Sequence, residues 1–390
     1  MGDGLLTAAE VGVKISKWMY HVRRFDVADA EMWRAEINED MKHMEFDQDL
    51  KLYSQLAEYR HNLMLSHVKP HYKEDNYINI DDLTQKIDDE NAEVAGFLKY
   101  YASLFKGMNE FRNGNFVNAI TFYKQGEKYV TDIDCEAEKA EYFFKLAEVY
   151  YNMKQTYFSM HYAMLAKDTY SAYDNYEKEK IRCQFVIAGN LIDSERHDEA
   201  LCVFQDALEK AEDIGDRYFL GLANCNVGMC LHQMGELDES LPYLNESIKM
   251  YEIDGAHNLK RALFTLAHVL YKRDNYVEAG IVYSRGYSLC QEDADMVTLS
   301  KYKFLLHLYV EKQNSCKIEG DLGVLEAQEH LADVEELSID AAHFYSKIGK
   351  LSESNRMYKK SIEVRRKIQR GGLLYEDYNG SGNVNFFSRT

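Results

Sequence analysis

Two groups of residues in this 390-residue chain have the types and spacing to do chemistry. The larger is a row of carboxylates, amides and aromatics: Glu141, Phe144, Glu148, Tyr151 and Asn152, then Phe185, Ile192 and Asp193, then Cys225, Met229, His232 and Gln233 with Asn226 beside them. Amides can pair with the N–H and C=O of an extended peptide, and carboxylates can hold a basic side chain or an amino terminus. The bland reading is a solvated face that is acidic because the protein is acidic. The smaller group is Gln48, just after Asp47. A carboxamide cannot act as a general base near neutral pH, yet it can orient a water for attack on a phosphoryl group, as glutamines in GTPases do. Read alone, it is a surface glutamine.

Other chemistry is absent. There is no GxxxxGK[ST], no GxGxxG after a strand, no HExxH and no GxSxG. The 13 histidines are scattered, and His67 and His71, four apart, are separated by the helix breaker Pro70, which argues against a metal site.

The row of inward residues depends on a repeat. A pattern of small and large residues is stated at Ala188, Leu191, Ala200, Phe204 and Ala207, and again 40 residues on at Gly228, Leu231, Ser240, Leu244 and Ser247. This is the logic of a tetratricopeptide-type hairpin: small residues at the eighth and twentieth positions let two antiparallel helices approach, and one at the twenty-seventh receives the next hairpin. Further copies fall at Gly107, Ala119, Tyr123 and Gly126; at Ala147, Tyr150, Ser159, Ala163 and Ala166; at Ala267, Leu270, Ala279, Tyr283 and Gly286; and at Ala342, Tyr345, Ser354, Tyr358 and Ser361. A sixth, degenerate copy is inferred from the gap around Tyr302 to Asp333. Stacked repeats form a right-handed superhelix lined on its concave wall by the first helix of each hairpin. The second, fifth, ninth, twelfth and thirteenth positions of each hairpin face inward, and the carboxylates, amides and aromatics above fall on them, with Asn226 beside them.

Only 2 prolines and helical apolar spacing predict an almost wholly helical protein. Pro242 is expected in the first turn of a helix, where a missing N–H costs little. The balance of 46 Lys and Arg against 65 Asp and Glu, a net charge of −19, repels a phosphate backbone, so direct nucleic-acid binding is not expected. Seven cysteines without a CxxC pair suit a reduced cytosol. No apolar run approaches the ~18 residues of a membrane span, and the first residues lack a signal peptide's blocks. The expectation is a cytoplasmic protein with no membrane partner.

Ahead of the repeats, Val11, Ile15, Trp18, Met19 and Val22 step by three and four, as do Ala30, Trp33, Ile37, Met41 and Met44, and then Leu52, Leu56, Tyr59 and Leu63. Asp26 and Asp47 are placed to cap the second and third of these helices. The expected fold class is therefore all-α: a three-helix bundle over 1–69, an acidic linker with a short helix over 70–93, about seven repeats over 94–370, and a frayed tail over 371–390.

This organisation resembles the Rap family of Bacillus. The segments that carry the likeness are MEFDQDLKLYSQLAEYRHNLMLSH from Met44, AEYFFKLAEVYYNMKQTYFSMHYAMLA from Ala140, and FVIAGNLIDSERHDEAL from Phe185. Rap proteins are response-regulator aspartate phosphatases and binding inhibitors governed by secreted Phr pentapeptides. The resemblance implies that Gln48 places the hydrolytic water beside a regulator's phospho-aspartate, with Glu45, Asp47 and Asp49 at the docking loop. It implies that Asp193 pairs with the peptide's basic side chain and that Asn226 grips the peptide backbone; Glu148 and Asn152 are added from the groove's register. Phe46 departs from the polar residue expected beside the catalytic loop. No cofactor is implied for this chain, because the response regulator brings its own Mg²⁺. The alternative within the family is non-catalytic sequestration of a DNA-binding regulator, a competence regulator or a mobile-element repressor. A co-chaperone clamp is disfavoured because Arg112 and Lys272 lie well apart, and a transcription factor because the bundle has no helix-turn-helix or basic face. The spacing says nothing of oligomeric state.

Overall fold

The computed structural model describes residues 6–44, 46–68, 78–89, 96–133, 135–254, 258–292, 294–312 and 315–379. Glu45, His71, the two ends of the expected linker (70–77 and 90–93) and the tail from 380 onward lie outside the described residues.

Among those described, the chain is helical throughout, with an isolated bridge between Leu6 and Met44 as its sole extended pairing. Three helices come first, α1 (Ala8–Arg23), α2 (Val27–Asp40) and α3 (Gln48–Val68), followed by the short α4 (Ile80–Asp89). Seven antiparallel pairs follow: α5 (Gly96–Arg112) with α6 (Phe116–Glu127), α7 (Glu136–Asn152) with α8 (Thr156–Ser171), α9 (Glu177–Asp193) with α10 (His197–Ile214), α11 (Arg217–Met234) with α12 (Leu237–Asp254), α13 (Leu259–Lys272) with α14 (Tyr276–Glu292), α15 (Met296–Leu305) with α16 (Ser315–Ala327), and α17 (Leu331–Lys347) with α18 (Leu351–Asn379). The repeat array is as expected in class and number.

The repeat register explains the joints. A Cβ added to Gly107 would strike the Tyr123 ring, and one added to Gly228 would strike Leu244. Hairpin turns sit seven residues after each such small position, where the backbone takes a left-handed conformation: Gly114, Lys154, Glu195, Gly235, Asp274 and Gly349. The sixth pair has its left-handed residue at Lys312, and Leu305 stands where the others have glycine or alanine. Immediately after that leucine the helix widens into a π turn, Leu306–Val310. A bulky residue at the joint accounts for the degenerate copy.

The first hairpin uses the same device, with Phe25 left-handed at the α1–α2 turn seven residues after Trp18. Thr7 starts α1 with a reciprocal capping box to Glu10. The three apolar stripes are buried or half-buried as expected, but α3 is buried on several sides, because α4 and α5 cover the face turned away from α1. One continuous apolar core runs from Val11 to Tyr150, joining the first helices to the first repeats.

Three local expectations need correction. Asp26 flanks α2 without a side-chain cap bond; its carboxylate is drawn instead to Arg24 at 3.0 Å, with His21 and Lys178 nearby. Pro242 lies beyond the first turn of α12, so the helix forgoes one interior bond to the Asp238 carbonyl. The chain after residue 370 continues as helix α18 through Gly371 and Gly372 to Asn379.

Candidate functional site

Gln48 is the first residue of α3 and is exposed. Asp47 caps that helix as its position predicts, its Oδ1 accepting from Leu50 N at 2.8 Å. Asp49 is half-buried in the first turn. Phe46, 76% exposed, stands beside them, with the Lys51 ammonium 5.6 Å from its ring centroid. The result is a fixed helix start that presents a carboxamide, two carboxylates and a bare aromatic ring to any docking partner. Such a surface can position water against a partner's electrophile.

The second locus is the concave wall. At its centre is Tyr151, packed over Gly189 so closely that a Cβ there would lie 2.7 Å from the phenol oxygen. Asp193 is next to it at the end of α9, with Oδ1 accepting from Lys154 at 2.6 Å and Oδ2 buried without a hydrogen-bond partner. Burial pushes the Asp193 carboxyl above its ordinary value, against the pull of Lys154, and Glu335 adds to the rise. Asn226 is half-buried on α11, one turn from Met229 and two from Gln233. Gln233 donates to Glu336 of α17 at 3.3 Å, so the last repeat closes across the groove toward the middle ones. His232 and His268 meet at 4.8 Å between ring centroids, and Asp340 stands 3.3 Å from His268 and 2.6 Å from Lys272.

Of the expected peptide-binding residues, Asp193 ends α9 and Asn226 lies half-buried on the neighbouring first-of-pair helix α11, while Glu148 and Asn152 are engaged locally. Glu148 pairs with Lys145, and with Arg182 at 3.5 Å; the Asn152 amide donates to the Glu148 carbonyl at 2.8 Å.

The sequence pattern did not reveal how the first helices meet this wall. Arg23 of α1 pairs with Glu138 of α7, which also accepts from the Tyr101 hydroxyl, and Arg60 of α3 pairs with Glu141 of α7 at 2.8 Å. Arg60 is 2% and Glu141 8% exposed. Burial raises the Glu141 carboxyl, but Arg60, Arg23 and Lys145 outweigh it and leave it below the ordinary glutamate value. Arg24 donates to the Asn175 carbonyl, and the Phe25 ring lies under Arg182, which also covers Phe144. The α1–α2 turn is thus seated on α7 and α9, against the same helices that line the groove. The hydrogen-bonded partners across this joint are 81 to 151 residues apart, a separation no local pattern encodes.

The first part of the chain, residues 5–66, matches the family model for the N terminus of response regulator aspartate phosphatase H, and residues 219–292 match a tetratricopeptide repeat model. Response regulator aspartate phosphatase A of Bacillus subtilis (strain 168) is 36% identical over 371 residues, spanning 95% of this chain and 98% of that protein. Among solved structures, a Rap protein complexed with competence and sporulation factor superposes with a TM-score of 0.84 at 34% identity, covering 93% of this chain and 99% of the other. The apo form of RapI, at the same identity and coverage, superposes with a TM-score of 0.68.

Proposed function

This chain belongs to the Rap family, and on that premise we propose that it is a peptide-regulated response regulator aspartate phosphatase. The observation that carries the reading is the seating of the bundle: the helices that present Gln48 are held by buried ion pairs to α7, which also lines the groove. Occupancy of the groove and availability of the bundle are then two ends of one mechanical element.

In the free form, the start of α3 docks over the acidic pocket of a response regulator, which supplies the aspartyl phosphate and its Mg²⁺. Gln48 orients a water in line with the scissile P–O bond; Asp47 and Asp49 fix and flank the helix start. A Phr-type pentapeptide in the groove places its basic side chain at Asp193 and its backbone at Asn226, and favours the compact form. The higher superposition score on the peptide complex than on the apo relative, at equal identity, supports reading the present conformation as the compact one. Both partners would be met in the cytoplasm. Glu45, outside the described residues, remains part of the proposed docking loop.

The test is the decay of aspartyl phosphate on the purified intermediate regulator of the sporulation phosphorelay. Wild type should accelerate it, and Gln48→Ala should lose that acceleration by about a hundredfold. Decay unchanged by wild type, with a stable complex, would move the protein to the sequestering class.

A further inference from the structure

The groove holds a cation that nothing so far has used. Arg261 occupies the second position of the fifth repeat, an inward-facing one, at the start of α13. Its Nη2 lies 3.2 Å from the Met229 sulfur, and no carboxylate lies within ion-pair distance of it among the described residues. Tyr151, Cys225, Tyr251 and Asp333 surround it closely enough to feel its charge. Nearly every other cation along the wall is committed: Lys145 to Glu148, Lys154 to Asp193, Lys272 to Asp340, Lys301 to Asp333.

Tyr151 links this arginine to the acidic end of the wall: its ring packs on Gly189, one helical turn before Asp193, and its phenol feels the charges of both Asp193 and Arg261. The wall therefore has two poles. One is the buried, unpartnered Oδ2 of Asp193, with Glu335 adding negative charge. The other is the Arg261 guanidinium, a planar fork suited to a carboxylate. Asn226 is one turn before Met229, the residue whose sulfur this guanidinium approaches.

We propose that Arg261 binds the C-terminal carboxylate of the peptide, and so fixes its direction in the groove. This rests on the reading of the groove as a peptide receptor. A peptide anchored through a basic side chain at Asp193 cannot place its N-terminal ammonium against the guanidinium without like-charge repulsion. Arg261 is exposed to the solvent of the groove, and the terminal carboxylate is the backbone group of a pentapeptide that carries the charge to match its fork.

The test uses three pools of pentapeptides, each with one Arg or Lys at any position. The first has free C-terminal acids and no Asp or Glu; the second is its C-terminal amide counterpart; the third is amidated and carries one Asp or Glu. Affinity capture followed by mass spectrometry reads enrichment on the full-length protein. Wild type should retain the free acids at least about tenfold over the amides. Arg261→Gln should erase that preference and Arg261→Lys should keep part of it, with unchanged melting of both variants. Equal capture of acids and amides overturns the assignment of Arg261. Capture of the third pool as strong as the first overturns the terminal position and leaves a side-chain carboxylate at that pole. Failure to capture any pool overturns the peptide-receptor reading itself, and this inference with it.

Discussion

Replacing Glu141 with glutamine isolates the contact that seats the bundle. The change is nearly isosteric, so it leaves the volume of the α3–α7 joint alone and removes one charge. Arg60, almost wholly buried, then faces an amide, and Arg23 keeps Glu138. Removing one partner of a buried pair costs about 3–5 kcal/mol, and the surviving Arg23–Glu138 pair argues for the lower end. About 3 kcal/mol is roughly a 150-fold shift away from the compact form. Amide hydrogen exchange is the assay, read separately in α1, α3 and α7 and in the distant α11–α12 pair, with small-angle scattering for overall dimensions. Exchange should rise along α1, α3 and the start of α7 and leave α11–α12 unchanged. Arg60→Met added to Glu141→Gln should recover much of the loss, because no unpaired charge is then buried. Unchanged scattering and exchange in the single variant would refute the idea that these ion pairs hold the bundle. A uniform rise in every helix would refute its local character.

Two further outcomes follow from the same geometry. In Gly286→Ala the new Cβ would overlap the buried Tyr302 ring, whose hydroxyl donates to the Lys260 carbonyl at 2.8 Å; stability should fall by about 1–3 kcal/mol in chemical denaturation, whereas Gly320→Ala, with open space around it, should be neutral or stabilising. His232 and His268 are held well below the ordinary histidine value, by burial first and then by neighbouring cations, so the folded state resists their protonation. Their contribution is present above pH 6.5 and is lost as pH falls through it, by up to about 1.4 kcal/mol per pH unit for each; the double variant His232→Asn, His268→Gln should flatten the urea midpoint between pH 7.5 and 5.5, and an unchanged slope would contradict the assignment.

What the sequence disclosed was whatever repeats. Small residues at fixed intervals placed the hairpins, because close helix approach tolerates little else at Gly107, Gly228 or Ala267. The sixth pair was weak in sequence for the reason it is irregular in space, a leucine at the joint beside a π turn. Asp193 and Asn226 came from register and resemblance together, and Gln48 from resemblance alone, since an exposed glutamine has no pattern of its own. The same register applied to the fifth and seventh repeats would have found Arg261 and Glu336, both at second positions. The pairs Arg23–Glu138 and Arg60–Glu141 had no such signal, because they join segments with unrelated periodicities. The packing of α3 had no such signal either, because a single apolar stripe marks one face and α3 has neighbours on more than one.

The residues that line the groove and those that seat one hairpin on the next occupy different positions of the same helices. Tyr151, Asp193, Asn226 and Arg261 can each be exchanged without touching Ala147, Ala188, Gly228 or Ala267. On the proposed reading of the groove, recognition and architecture are written in separate alphabets, and a duplicated copy of this protein could acquire a new signal by a handful of substitutions while folding as before.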